Sequence, residues 1–299
     1  MRITLIHNPG AGKSGANEAK KLRKLLERHG HDVRYRSTKE EGWKRALKKR
    51  ADLIVVAGGD GTVGKVARRI VGRGVPLGIL PSGTANNIAR TLELIERPFE
   101  ELVLGWEKPR SVKLDVGIAS GPWGERYFIE GVGAGLFAAT LAKPPRKNIK
   151  KSANPVAGGL ERLKRAAKDA EPLELHAKLD GADISGRYLL IEAVNLRYVG
   201  PNLHLAHDSK AGDGMFDVVL VTEAERERLR YYLDHWQDNR ERIAVLPTKR
   251  GRCLEIEWTG FPLHIDDKLK PKPDMKPKEM AGLFEARLEG EEVEFLVPA

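Results

Sequence analysis

Three glycine-rich segments in the first part of the chain have the residue types of an anion-binding site. Each follows a short apolar run and precedes a segment with helical periodicity. Glycine has no Cβ atom to hold an anion away from the backbone, and the free N–H groups at a helix start point towards a bound anion. The segments are Asn8-Pro9-Gly10-Ala11-Gly12, Gly58-Gly59-Asp60-Gly61-Thr62 and Pro81-Ser82-Gly83-Thr84. Together they favour a polyphosphate ligand.

The second segment is the most specific of the three, because a carboxylate lies among its glycines. Asp60 would repel a phosphate unless a cation or a network of donors lay between them. The segment therefore predicts ATP bound together with Mg²⁺. The simpler alternative is an ordinary strand-to-helix turn in which Asp60 acts as a cap.

The first segment leaves the class of nucleotide open. Gly10, Gly12 and Gly15 have the spacing of a dinucleotide-binding fingerprint. That fingerprint requires an acidic residue at the end of the second strand, where this sequence has Ser37 and Thr38. A Walker-type phosphate loop fails as well, because its first glycine would fall at His7. Taken alone, the segment is equally consistent with a tight turn.

The elements that must position these segments alternate between strand and helix. Apolar runs predict strands at residues 2–7, 33–37, 52–57 and 75–80, with helical segments between them that include a charged helix over 40–49. The run over 52–57 is almost continuously apolar, as in a strand buried on both faces of a parallel sheet. The carboxyl ends of parallel strands meet at one edge of a sheet, where open α/β folds bind ligands. We therefore expect all three segments at that edge.

The pattern changes after about residue 117. Strands are predicted over 127–130, 173–179, 188–195, 216–221, 254–258 and 293–297, interrupted by helices over 155–167 and 225–240. Strands that follow one another with few helices predict an antiparallel sandwich. The predicted fold is an open, mostly parallel α/β nucleotide-binding domain over 1–117 followed by an antiparallel β-sandwich domain over 118–299. The last strand, about 290–299, is a candidate to return to the first domain.

Composition excludes several classes of protein. The longest apolar run, residues 53–57, is far too short to span a membrane, and no signal peptide is recognisable, so we expect a cytoplasmic protein. The single cysteine, Cys253, excludes an intrachain disulfide. The chain has 52 Lys and Arg against 42 Asp and Glu, and the net charge of +10 favours anionic partners. Zinc-finger and RNA-recognition patterns are absent from the sequence, as is the esterase pattern Gly-x-Ser-x-Gly, so we expect neither nucleic-acid binding nor esterase activity.

With Gly58-Gly59-Asp60-Gly61-Thr62 and Leu80-Pro81-Ser82-Gly83-Thr84-Ala85-Asn86-Asn87, the chain resembles the diacylglycerol kinase catalytic domain family. That family includes soluble bacterial lipid kinases and sphingosine kinases. The resemblance implies a nucleotide-binding α/β domain, a β-sandwich domain and ATP held in the cleft between them. It also implies transfer of the γ-phosphate to a hydroxyl of a diacylglycerol- or sphingoid-like lipid.

The same resemblance implies roles for individual residues. The expected nucleotide contacts are Asn8, Pro9, Gly10, Ala11, Gly12, Thr38, Gly59, Asp60, Gly61, Thr62 and Thr84. Asp115 is expected to join Asp60 in a network of water and metal. A structural Mg²⁺ would be bound by the Asp213 carboxylate and by the carbonyls of Lys210 and Met215. Asp266 is the expected catalytic carboxylate that orients the attacking hydroxyl and accepts its proton.

Several positions depart from the family pattern. Gly64 and Lys65 replace an Asn and a Glu, and Asn87 stands where an acid is common. The family's Asp-Gly-Glu is Asp266-Asp267-Lys268 here. Each change removes or moves negative charge, which keeps two alternatives open. One is an NAD kinase-like phosphotransferase, and the other is a catalytically silent lipid- or nucleotide-binding protein.

The expected partner is a lipid substrate at an anionic membrane surface, which would make the protein peripheral to the membrane. Two basic, proline-containing segments, residues 143–151 and 268–278, are candidates to contact lipid headgroups. An equally good interpretation is that both are solvated loops. A homodimer is also compatible with the sequence.

Overall fold

The computed structural model describes residues 1–12, 17–143, 154–236, 245–271 and 281–299. These residues form two compact units. The first unit comprises Met1–Val116 together with Glu291–Ala299, and the second comprises Gly117–Gly290. Among the described residues, no helix is both long enough and apolar enough to cross a bilayer.

The first unit is built on a six-stranded, mostly parallel sheet, as predicted. Its strands are β1 (Arg2–His7), β2 (Asp32–Ser37), β3 (Leu53–Gly58), β4 (Leu77–Pro81), β5 (Pro109–Asp115) and the last strand of the chain, β19 (Glu292–Pro298). They are arranged in the order β2-β1-β3-β4-β19-β5, and only the β19–β5 pair is antiparallel. Every residue of β3 is buried, which explains its continuous apolar run.

The helices of the first unit follow its strands. They are α1 (Glu18–Arg28), α2 (Asp60–Ile70), α3 (Asn87–Thr91) and α4 (Phe99–Gly105). The charged helix expected over 40–49 is present as a shorter 3-10 helix at Trp43–Lys48. The residue before it, Gly42, has a left-handed φ of 69°, and this turn delays the start of the helix.

The second unit is a β-sandwich, which confirms the predicted fold class. Its strands are β6 (Gly117–Gly121), β7 (Gly124–Phe128), β8 (Gly131–Gly135), β9 (Leu173–Leu175), β10 (Ala177–Leu179), β11 (Ala182–Asp183), β12 (Gly186–Val194), β13 (Phe216–Thr222), β14 (Thr248–Gly251), β15 (Cys253–Trp258), β16 (Leu263–Ile265), β17 (Lys268–Lys270) and β18 (Gly282–Arg287). One sheet has the order β11-β10-β15-β18-β6-β7. The other has the order β14-β13-β12-β8-β16-β17, with β9 as a seventh strand that also pairs with β12. Residues of both sheets share one apolar core that includes Phe128, Phe216, Trp258 and Phe284.

A second apolar cluster joins three helices to the seven-stranded sheet. The helices are α5 (Leu136–Ala142), α6 (Pro155–Lys168) and α7 (Arg226–His235). Leu229, Tyr232 and Leu233 of α7 are buried in this cluster. These residues therefore serve core packing, which is the role that their helical spacing predicts.

One predicted strand ends earlier than expected, with consequences for the site. The strand predicted over 127–130 stops at Phe128, so Ile129 and Glu130 lie in a turn between β7 and β8. Their backbone N–H groups bond to a side chain instead of a neighbouring strand.

Candidate functional site

The second and third glycine segments touch through their backbones in the first unit. A Cβ atom placed on Gly59 would lie 2.8 Å from Gly83 Cα, and one placed on Gly83 would lie 2.3 Å from Gly59 Cα. Real Cβ atoms do not approach backbone atoms so closely. Both positions therefore require glycine, and the two segments form one continuous backbone surface at the carboxyl edge of the sheet.

The first segment joins the other two. Gly12 has a φ of 64°, and a Cβ atom on it would lie 2.3 Å from the Ser82 carbonyl oxygen of the third segment. Asn8 Nδ2 donates a hydrogen bond to Thr62 Oγ1 of the second segment at 3.0 Å. Thr38 Oγ1, at the end of β2, donates to Asn8 Oδ1 at 3.4 Å. The three segments and Thr38 thus converge, as the strand order predicts.

Asn86 stabilises the third segment, and sequence reasoning assigned it no role. Its Oδ1 accepts the Gly83 N–H at 2.9 Å, and its Nδ2 donates to the Gly83 carbonyl at 2.9 Å. Asn86 also adopts a left-handed φ of 53°, which asparagine tolerates better than most residues. Its position three residues after a glycine in a turn was the available signal.

Asp60 bonds to the third segment's helix. Its Oδ1 accepts the Ile88 N–H at 2.9 Å, so the carboxylate caps α3 and not the helix α2 that it begins. Burial raises the pKa of Asp60, while hydrogen bonds from the N–H groups of Ile88 and Asn87 oppose that rise. Asp60 therefore ties the second segment to the third, whichever ligand the site takes.

The donor set suits Mg²⁺ that arrives with a nucleotide better than a metal held by protein alone. Among the described residues, no group of three or more His, Cys, Asp or Glu side chains could hold a metal ion. Mg²⁺ bound with a nucleotide needs only one or two carboxylates, because phosphates and water complete its shell. Asp60 follows β3 at the carboxyl edge of the sheet and is such a carboxylate. Asp115 is buried at the end of β5 that pairs with Glu292 at the start of β19, which is the opposite edge, so the structure does not bring it to Asp60 as expected.

In the second unit, Asp266 holds the turn between β7 and β8. Its Oδ1 accepts the N–H groups of Ile129 at 3.0 Å and Glu130 at 2.8 Å. Its own N–H donates to the Gly131 carbonyl at 2.8 Å, and its φ of 51° is left-handed. The expected catalytic carboxylate is thus fixed in direction by backbone donors.

The expected structural metal loop has an arginine at its carboxylate. Asp213 Oδ1 accepts the Met215 N–H at 3.1 Å, and its other oxygen accepts a hydrogen bond from Arg250 Nη2. Arg250 Nε also lies 3.4 Å from Asp217 Oδ1, whose pKa is raised by burial against the attraction of this arginine. Lys210 is exposed. A metal bound by Lys210, Asp213 and Met215 stays a prediction and would have to compete with Arg250.

The residues that depart from the family pattern have diverse surroundings. Lys65 is exposed on α2, whereas Asn87 is buried as the first residue of α3. Lys268 Nζ pairs with its neighbour Asp267 Oδ2 at 2.7 Å. Lys270 is buried, with its Nζ 5.4 Å from the centroid of the Trp123 ring, and does not belong to an exposed basic surface.

Several sequence predictions fall outside the described residues. Gly15 of the fingerprint lies among residues 13–16. Most of the two basic segments lies within residues 144–153 and 272–280.

Comparisons with known proteins agree with this geometry. Residues 2–119 match the family model for the diacylglycerol kinase catalytic domain. A diacylglycerol kinase of Bacillus subtilis (strain 168) is 29% identical over 236 residues, covering 75% of this chain and 74% of that protein. A diacylglycerol kinase of Staphylococcus carnosus (strain TM300) is 26% identical over 246 residues, covering 78% and 76%. Residues 2–119 of this chain are therefore similar to the diacylglycerol kinase catalytic domain.

A solved structure extends the likeness to the whole fold. The crystal structure of a diacylglycerol kinase from Bacillus anthracis str. Sterne has a TM-score of 0.74 and covers 99% of this chain and 96% of its own. At 20% sequence identity, this likeness establishes the two-part α/β and β-sandwich architecture and nothing finer.

Proposed function

We propose that this protein is a lipid kinase that transfers the γ-phosphate of ATP to a hydroxyl of a diacylglycerol-like lipid. The observation that carries the proposal is the contact between Gly59 and Gly83, which leaves no room for a side chain on either segment. The two curated relatives described above, each named a diacylglycerol kinase, support the choice of lipid. A sphingoid-like lipid is a second acceptor to test.

The first unit would bind the nucleotide. Backbone N–H groups of the three segments would contact the phosphates. The proposed contacts are Asn8, Pro9, Gly10, Ala11, Gly12, Thr38, Gly59, Asp60, Gly61, Thr62 and Thr84. Asp60 would contact Mg²⁺, which supplies charge neutralisation at the phosphates when bound.

The second unit would supply the base. Phosphoryl transfer depends mainly on positioning and on charge, with one carboxylate to orient the attacking hydroxyl. Asp266 would accept the proton of the lipid hydroxyl, and its direction is set by the N–H groups of Ile129 and Glu130. Asp267 is exposed and paired with Lys268, which makes it the weaker candidate.

A labelled-ATP assay tests the proposal against its rivals. The purified protein is incubated with Mg²⁺ and γ-labelled ATP, and with detergent micelles of diacylglycerol, micelles of sphingosine, or NAD in solution. We expect label to appear in phosphatidic acid and to disappear when EDTA is added. Label in NADP would instead identify an NAD kinase-like enzyme.

A catalytically silent protein is the second candidate, and Lys65 and Lys268 favour it because they place positive charge where the family pattern has acids. Calorimetry with ATP and Mg²⁺ separates the two. Binding of ATP without transfer to any acceptor would support the silent alternative, and a protein that binds no ATP would contradict both.

A peripheral contact with an anionic membrane is part of the proposal, supported by the net charge of +10. Co-sedimentation with phosphatidylglycerol vesicles should exceed that with phosphatidylcholine vesicles and should fall as salt is raised. The triple variant K272S/K276S/K278S tests the second basic segment. Lys270 is left unchanged because it is buried against Trp123. Unchanged binding of the triple variant would exclude that segment as the contact.

A further inference from the structure

Glu192 and His264 form a buried pair in the second unit that the proposed mechanism does not use. His264 Nε2 lies 2.8 Å from Glu192 Oε2, and both side chains are almost fully buried. They come from strands β12 and β16, which flank β8. Glu192 and His264 both align with Gly133 of β8, from opposite sides.

Gly133 makes this contact across β8 feasible. A Cβ atom placed on Gly133 would lie 2.2 Å from Glu192 Oε2, so any side chain there would occupy the space of the carboxylate. The glycine lets two side chains from non-adjacent strands meet above the strand between them. The pair is therefore built into the sheet and does not depend on surface side-chain conformations.

The second ring nitrogen of His264 points to the backbone of Asp266. His264 Nδ1 lies 2.9 Å from the Asp266 carbonyl oxygen, which can only accept, so Nδ1 carries a proton. Burial lowers the pKa of His264, but the charge of Glu192 and the hydrogen bonds to Glu192 and to Asp266 raise it by more. His264 thus donates from Nδ1 to the backbone of Asp266 and shares a hydrogen bond with the Glu192 carboxyl group through Nε2.

The turn that Asp266 binds is held from its other side as well. Asn195 Nδ2 donates to the Ile129 carbonyl at 2.9 Å, and the Asn195 N–H donates to the Glu130 carbonyl at 2.9 Å. The N–H groups of the same two residues donate to the Asp266 carboxylate. Within this arrangement, His264 is the side chain that holds the carbonyl of Asp266, a residue with left-handed backbone.

We propose that His264, oriented by Glu192, is a positioning residue that holds the backbone of Asp266 so that its carboxylate keeps a productive direction. The proposal rests on the proposed function, in which Asp266 is the base of a lipid kinase. The proposal adds that catalysis requires the backbone of Asp266 to be held in place, in addition to the presence of its carboxylate. A small displacement of a reacting group costs up to ~100-fold in rate even when all groups are present.

Two matched double variants test the proposal. E192Q removes the buried charge, and a neutral His264 still donates from Nδ1 while it accepts from Gln at Nε2. On that background, H264N places an amide near the Nδ1 position and can still donate to the Asp266 carbonyl. H264Q places an amide near the Nε2 position and leaves that carbonyl without its donor. The two proteins have the same charge and differ in which end of the imidazole is replaced.

We expect E192Q/H264Q to lose at least ~10-fold in kcat with an unchanged KM for the lipid. We expect E192Q/H264N to recover most of the kcat of E192Q. Hydrogen exchange at the Ile129 and Glu130 amides should be faster in E192Q/H264Q alone. The control is Y188F, which removes a different buried hydrogen bond on the same strand, from Tyr188 to the Ile184 carbonyl at 2.6 Å, and should leave kcat unchanged.

Equal loss of kcat in both double variants, or loss in neither, would overturn the proposal. A loss confined to thermal stability, with equal kcat per folded molecule, would overturn it as well. If the unaltered protein phosphorylates no lipid, the proposed function fails. The exchange rates at Ile129 and Glu130 then decide the positioning role on their own, and equal rates in the two double variants would refute it.

Discussion

Asp266 serves the fold and the proposed chemistry through the same carboxylate, and one substitution separates the two. In D266N, an amide oxygen still accepts the N–H groups of Ile129 and Glu130, while the negative charge is lost. We expect kcat to fall at least ~100-fold, the size of a general-base contribution, with a thermal midpoint close to that of the unaltered protein. Initial-rate kinetics and thermal unfolding measure both effects.

Two further variants separate the structural role of Asp266 from its charge and serve as controls for D266N. D266A removes the acceptor as well and should lower the free energy of unfolding by about 1–3 kcal/mol, because two N–H groups lose their partner. D267N alters an exposed carboxylate that pairs with Lys268 and should leave kcat nearly unchanged. A fully active D266N would show that Asp266 is not the base.

The Glu192–His264 pair predicts a pH dependence of stability with a definite sign. The folded protein raises the pKa of His264, so it binds that proton more tightly than the unfolded chain does. The resulting stability is fully present below about pH 6.5, the pKa of an unperturbed histidine, and is lost as the pH rises through the folded pKa. Between about pH 6.5 and 8, we expect the free energy of unfolding to fall by at most about 1.4 kcal/mol per pH unit.

Urea unfolding of the unaltered protein and of E192Q over this range checks the prediction. E192Q should show a flatter profile, because its neutral His264 gains no proton on folding. Three other histidines act at lower pH. The pKa values of His7, His31 and His204 are lowered chiefly by burial, that of His204 to about 4, so they destabilise the folded protein as the pH falls below about 6.5. Identical profiles for the two proteins would contradict an ionised pair.

At the scale of elements, the nucleotide site is a set of strand ends held together by glycine contacts, and not every glycine serves that packing. A Cβ atom on Gly59 or Gly83 would strike backbone, but one on Gly61 would meet no atom within 4 Å. Gly61 lies in the first turn of α2, where alanine is favoured over glycine by about 0.5–1 kcal/mol. The fold therefore does not require glycine at this position. A phosphate bound against the backbone of Gly61 would require it, because a side chain would hold the phosphate away.

We expect G61A to be as stable as the unaltered protein or slightly more stable, yet to bind ATP at least ~10-fold more weakly. An added methyl in a filled site costs about 1–3 kcal/mol, and 1.4 kcal/mol is a factor of ten in Kd. The control is G64A in the same helix, where the new Cβ would lie 2.9 Å from the movable end of the Arg68 side chain. Calorimetry with ATP measures all three proteins. Equal affinity for ATP in G61A would place the phosphates elsewhere.

The elements also explain how much the sequence could reveal. Strands β1 and β3 were predictable because each is a local apolar run with a glycine turn at its end. Strands β16 and β17, with three residues each, were not, because so short a segment becomes a strand only through pairing with distant residues. The second strand predicted over 173–179 likewise divides into β9 and β10, which belong to different sheets.

The same distinction holds for the candidate site. The glycine segments were predictable because backbone access to an anion has a local pattern. The Glu192–His264 pair was not, because its members are 72 residues apart and meet only through the order β12-β8-β16. Asp60 was recognised from its glycines, but its bond to the Ile88 N–H depends on how two loops pack, which no local pattern records.

At the scale of the whole molecule, the chain completes its first unit with its last strand. β19 lies between β4 and β5 in the sheet. The gap between these two strands is therefore filled only by a segment that follows the whole second unit in the sequence. Val293, Phe295 and Val297 of β19 are buried. Trp106 Nε1 donates to the Leu296 carbonyl at 3.2 Å and ties α4 to the same strand. The parallel sheet that positions the glycine segments therefore depends on residues far away in the sequence.

Because the sheet depends on β19, we expect a substitution in β19 to lower the free energy of unfolding strongly, although β19 contains none of the proposed ligand contacts. Phe295 is 1% exposed and aligns with Leu77 of β4 and Val112 of β5. F295A should lower the free energy of unfolding by about 3–5 kcal/mol through lost burial and the cavity left behind. L283A is the matched control, because Leu283 lies on β18 with 51% of its surface exposed, and it should change stability by less than about 0.5 kcal/mol.

The two variants should also differ in ATP binding. The third glycine segment follows β4, and β4 rests on β19, so a loosened β19 should weaken ATP affinity in F295A before the unit unfolds globally. Calorimetry at a temperature where F295A is still folded by circular dichroism measures this effect, with L283A as reference. If F295A keeps both the stability and the ATP affinity of L283A, β19 is dispensable to the sheet. The arrangement of the glycine segments would then rest on β1, β3 and β4 alone.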